Sequence, residues 1–148
     1  MRECEYRYTE RVLYRHKDTE KKCEELALEI AELRVKGDVQ GQRYNACAGV
    51  HGSVSDPVAR HVEEVLRMER RLRRMSRRMR VVESLRDDLR NGGVVTVTHP
   101  RNLLRILEDY YIAGSTVLEF LELTHWVRST FYVRRRELVM VTGEYLRA

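Results

Sequence analysis

Residues 116–136 read TVLEFLELTHWVRSTFYVRRR, two short helical segments joined by Thr124-His125-Trp126-Val127, and this stretch decides the fold. Thr116 stands at an N-cap position with Glu119 three residues on, the capping-box spacing that closes the first turn of a helix. Phe120 and Leu123 follow at positions that face inward. The second segment starts Arg128-Ser129-Thr130-Phe131-Tyr132 and runs into Arg134-Arg135-Arg136. A helix that enters the major groove needs short polar donors in its first turn, where backbone N–H groups also face phosphates, and cations further along its outer face. Both are present, so the segment reads as a helix-turn-helix with duplex DNA as the leading ligand.

Upstream of this pair, a helix over 101–112 completes a small three-helix unit, and the third helix is expected over 128–146. Gly114 supplies the positive φ of a helix C-cap just before Thr116. Leu103, Leu104, Leu107, Tyr111, Trp126, Phe131, Leu138 and Val141 recur at helical spacings and form the expected core. Before it, Val94–Thr98 is β-branched and predicts a short strand, and Asn91-Gly92-Gly93 ends the preceding helix. That helix starts at Ser55-Asp56-Pro57, where Asp56 caps and Pro57 fits the first turn, and it carries a seam of Val65, Met68, Leu72, Met75, Met79 and Val82 at alternating spacings of three and four. The natural antiparallel partner is a helix over 9–35, ended by Lys36-Gly37-Asp38, with a loop from Gly41 to Ser55 between the two; a second copy of the chain is the other candidate for the seam. The expected fold is all-α: an N-terminal helical hairpin or coiled-coil arm over 1–93, then a three-helix helix-turn-helix domain over 94–148.

The charge of the chain points the same way. Lys and Arg outnumber Asp and Glu by 28 to 23, and the positive charge is mostly arginine, clustered at 67–80 and 128–136. A forked guanidinium binds phosphate through two hydrogen bonds where lysine acts as a point charge, which favours a polyanion over a neutral ligand. No apolar run approaches the roughly 20 residues that cross a bilayer, and the first residues lack a signal peptide's apolar stretch, so a cytoplasmic protein with no membrane partner is expected. Cys4, Cys23 and Cys47 form no CxxC pair and suit reduced thiols.

Other candidate sites are weaker. The arginines of 67–80 alternate with the apolar seam and read as the solvated face of a coiled coil, paired with glutamates of 20–32; contact with the DNA backbone is the alternative. Cys47 and His51 are four apart, with His61 further on, but the intervening glycine and the lack of a second close ligand pair argue against a metal site. His16, His99 and His125 fall at helix ends or the surface. Asp87-Asp88 and Glu108-Asp109 read as solvated carboxylates, and Tyr6, Tyr8 and Tyr14 suit helix packing. With no Gly-rich phosphate loop, no nucleophile elbow and no carboxylate pair in an apolar setting, neither an enzyme nor a cofactor is expected.

Specific stretches resemble the sigma-region-4-like helix-turn-helix of phage transcriptional regulators of the RinA and ArpU type. They are Leu107-Glu108-Asp109-Tyr110-Tyr111-Ile112-Ala113-Gly114, Glu119-Phe120-Leu121 and Arg128-Ser129-Thr130-Phe131-Tyr132, with Ser55-Asp56-Pro57-Val58 leading into the long charged helix. Three features depart from that family: Leu121 replaces a small residue, Val127 replaces a serine cap, and Val94–Thr98 lengthens the connector. The resemblance implies a late-gene activator of a phage or prophage, working in a bacterial cell. Arg128, Ser129, Thr130 and Tyr132 would form its groove-facing first turn, with Arg136 one turn on and Arg134 and Arg135 as further DNA contacts. Position 135 follows Phe131 by four, which places its stem at the core edge and its head in solvent. The arm would supply homo-oligomerisation, a dimer first, or a contact with RNA polymerase. The alternatives are a small terminase subunit that marks packaging DNA and a helical adaptor that binds protein alone.

Overall fold

The computed structural model describes the backbone of residues 1–45, 57–94 and 96–148, and the side chains of the same residues except 39–45. All regular structure among them is helical: α1 (Glu3–Tyr14), α2 (His16–Asn45), α3 (Pro57–Asn91), α4 (Pro100–Arg105) continuing into a π-helical segment π1 (Ile106–Ile112), α5 (Val117–Thr124) and α6 (Arg128–Arg147). The all-α expectation is met. Cys47, His51 and the Ser55-Asp56 cap lie outside the described residues, as does most of the expected loop, whose first five residues belong to α2.

Three details differ from the sequence reading. The helix expected over 9–35 is two helices, because Arg15 takes φ −95° and ψ 8° between α1 and α2. Lys36-Gly37-Asp38 does not stop α2. Gly37 serves a close approach instead: a β-carbon there would lie 2.6 Å from His61 Nε2, and the same nitrogen is 2.7 Å from the Leu33 carbonyl. Finally, no strand forms over Val94–Thr98 among the described residues. The Val97 N–H donates to the Val94 carbonyl at 3.4 Å in a turn, and the Val94 side chain is buried in the core. With no second strand to share a ladder, burying an apolar side chain is what remains for a β-branched segment.

The chain divides into two compact units, Met1–Thr19 with Arg77–Ala148, and Glu20–Ser76. The first therefore extends well beyond the 94–148 domain expected from the sequence. Val12 and Leu13 of α1 and Val82, Leu85 and Leu89 of α3 lie in one core with Leu103, Ile106, Leu107, Phe120, Phe131, Leu138 and Val139. A three-helix unit of some fifty residues buries little apolar surface for its size, and α1 with the end of α3 supplies the missing walls. Polar contacts reinforce them. Glu108 accepts from Arg86 Nε at 2.8 Å and from Arg90 at 2.6 Å, and the Tyr145 hydroxyl donates to Asp88 at 2.5 Å. Glu108 and Asp88, expected as solvated carboxylates, are structural partners instead. Burial and the Asp88 carboxylate push the Tyr145 phenol up to about 12.

The second unit is an antiparallel helical pair, as the seam predicts. Ala27 and Ile30 line a groove with Leu72 and Arg73, while Gly37 and Asp38 line one with His61 and Val62. Cys23, Leu26 and Ile30 are buried, and Val65, Met68, Leu72 and Met75 are half-buried. Among the described residues the ion pair across it runs from Arg34 to Glu69, the reverse of the expected pairing of arginines on the second helix with glutamates on the first.

Candidate nucleic-acid interface

The helix pair that opened the sequence reading has the expected local geometry. Gly114 takes φ +79°, and Thr116 caps α5: its hydroxyl accepts from the Glu119 N–H at 3.3 Å while Glu119 accepts from the Thr116 N–H at 2.7 Å. The Thr116 backbone N–H first, and the Thr116 hydroxyl beside it, hold the Glu119 carboxyl below the usual carboxylate range. At its other end α5 closes on His125 in the left-handed region, φ 56° and ψ 26°, and Trp126 packs edge-on to Phe120 at 5.5 Å. Leu123, expected in the core, is 65% exposed; with Phe120 and Trp126 filling the angle between the two helices, the last turn of α5 points it outward.

Aromatic rings fix α6 in place. Phe131 is fully buried and lies 5.2 Å from both Phe120 and Tyr110. Tyr110 in turn meets Tyr111 at 4.9 Å and Tyr14 of α1 at 5.8 Å. Edge-on contacts of this kind each contribute about 0.5–1.5 kcal/mol beyond the burial of area. On the same side of α6, Arg135 is enclosed. Its guanidinium donates to Glu10 at 2.5 Å, to the Tyr14 hydroxyl at 3.1 Å and, through Nε, to the Tyr111 hydroxyl at 3.2 Å, and it lies over the Tyr110 ring at 5.5 Å. Burial pushes the Tyr14 and Tyr111 phenols well above their ordinary range, so both remain neutral donors and acceptors. The head of Arg135 is therefore not in solvent. Its Nε and Nη2 donors bond partners within the fold, so Arg135 positions α6. Arg134 is half-buried and paired with Glu137 at 2.9 Å on its own helix.

The remaining candidates come together on the outside of α6. Arg128, Ser129, Thr130, Tyr132 and Arg136 are all exposed, and among the described residues no carboxylate pairs with Arg128 or Arg136. The cap residue Val127 has extended backbone (φ −76°, ψ 144°) and offers no side-chain acceptor. The first N–H of α6 to bond a carbonyl in the cap is that of Phe131, to Val127 at 3.2 Å. The N–H groups of the first turn thus stay open beside Ser129 and Thr130, with the partial positive charge of the helix end behind them. The valine that departs from a serine cap leaves that end free for an external acceptor. Sequence reasoning missed Val133, which is 63% exposed on this face; its signal was an apolar residue one turn beyond Ser129.

In the second unit, Arg67, Arg70, Arg71 and Arg74 of α3 are exposed and form no ion pair among the described residues. No group of His, Cys, Asp and Glu side chains among the described residues is arranged to hold a metal ion. None of the helices described is long and apolar enough to cross a membrane. No protein-family model, curated protein or solved structure matches the chain.

Proposed function

We propose that this protein is a sequence-specific, duplex-DNA-binding transcriptional regulator, a late-gene activator of a phage or prophage of the RinA and ArpU type. The observation that carries the reading is the division of labour on α6. Its inner face is anchored by Phe131 and Arg135, and its outer face leaves Arg128, Ser129, Thr130, Tyr132 and Arg136 to solvent with no internal carboxylate on either arginine. Short donors at the helix start and a guanidinium two turns on are what phosphate positioning and base reading in the major groove require.

Self-association is part of the proposal. Along the hairpin of the second unit, Val62 and Leu66 are exposed beside the groove they line with Val58, His61 and Val65. A helix pair that leaves Val62 and Leu66 open beside its seam gains from a second copy laid against it, which would give a dimer; contact with RNA polymerase is the other use of the same surface. An adaptor that binds protein alone is the competing reading, favoured by the exposed Val127, Val133 and Met140.

Replacing Arg128 and Arg136 with Ala separates the two. A DNA reader loses cognate affinity, and its salt dependence becomes shallower by about one counterion for each phosphate contact removed. An adaptor shows no salt-dependent binding to duplex DNA with either chain, and that result overturns the proposal.

A further inference from the structure

Ser129, Val133, Arg136 and Met140 follow one another at spacings of four, three and four, a single stripe along the outer face of α6. All four are exposed. Neither of the usual reasons for a valine applies at position 133. It does not fill the core, being 63% exposed, and a β-branched side chain is a poorer helix former than the polar residues that solvated helix faces carry. Its two methyl groups stand between a hydroxyl donor one turn back and a guanidinium one turn on.

The major groove offers one apolar group, the C5-methyl of thymine, beside the donor and acceptor patterns of the other base edges. An arginine on the same stripe matches the paired acceptors O6 and N7 of guanine. We infer that Val133 is a specificity-determining residue that packs on a thymine methyl next to the base pair addressed by Arg136. The inference rests on the DNA-binding reading above. It adds what that reading lacks: an element of the sequence recognised, a thymine neighbouring a guanine.

The test uses the full chain and a random-sequence duplex pool, selected at near-physiological salt and sequenced. In the selected duplex, each thymine is then replaced singly by uracil, which pairs identically but lacks the methyl. One replacement should weaken binding by about fourfold, the value of one methyl group removed from water, and the same replacement should cost nothing with Val133→Ala. Alanine is a better helix former, so this variant keeps α6 intact. If every thymine tolerates uracil, or Val133→Ala shows the same loss, the role given to Val133 is wrong while the DNA reading stands. If no sequence is enriched, both fall.

Discussion

His125 is the one residue other than glycine that takes a positive φ among the described residues. It makes the turn between α5 and α6, and the left-handed conformation costs a side-chain-bearing residue about 1 kcal/mol. His125→Gly should therefore raise stability by up to about 1 kcal/mol, less what glycine loses in chain entropy, read as a higher midpoint in urea; a lower midpoint would mean that the imidazole itself holds the turn. Arg135 and Arg136 give a sharper contrast. Arg135→Met leaves Glu10 without its partner in a half-buried site and should cost about 1–3 kcal/mol of stability. Arg136→Ala should change stability by less than about 0.5 kcal/mol and act on DNA affinity alone. The spacing of Arg135 from Phe131 placed it at the core edge from sequence, but its partners could not be read there. Glu10, Tyr14 and Tyr111 come from α1 and π1, and a sequence carries no sign that residues 125 positions apart meet.

At the scale of elements, the capped and closed parts of the chain were legible because their chemistry is local. The Gly114 C-cap, the Thr116–Glu119 box, Pro57 at the start of α3 and the seam of the hairpin depend on residues a few positions apart. What escaped was set by packing. The α1–α2 break at Arg15, the π-helical turn of 106–112 and the burial of Val94 answer to a core that gathers α1, the end of α3 and the C-terminal helices. Two expectations follow. A fragment starting at residue 94 should show no cooperative thermal transition by circular dichroism, since it lacks the buried Leu13, Val82, Leu85 and Leu89; a sharp transition would make α1 and α3 dispensable. The second concerns acid. Burial alone would raise the Glu108 carboxyl, but Arg86 and Arg90 outweigh it and hold it below its ordinary range. A depressed folded value gives stability that is fully present above the ordinary carboxylate range and is lost as pH falls from there through the lowered folded value. With Glu108 and both arginines roughly a third to a half exposed, the effect is under about 1 kcal/mol, and Glu108→Gln should narrow the gap between the melting temperatures at pH 6 and pH 3.

For the whole molecule, the polyanion to which net charge and arginine content point belongs to the proposal, while the all-helical class and the helical hairpin were visible as patterns. Where the compact units begin and end was not, because that depends on which helix faces share a core. The four exposed arginines of the second unit, Arg67, Arg70, Arg71 and Arg74, have no acidic partner among the described residues. Replacing them with glutamine should keep the helix content and make the salt dependence of DNA binding shallower; an unchanged slope would confine DNA contact to the unit that carries α6. The most direct measurement on the central claim is selection from a random duplex pool by the full chain beside its Arg128→Ala, Arg136→Ala variant, at near-physiological salt where non-specific affinity is suppressed. The account predicts one enriched motif for the natural chain and its loss in the variant, with both chains equally folded. Equal enrichment by both, or none by either, would contradict it.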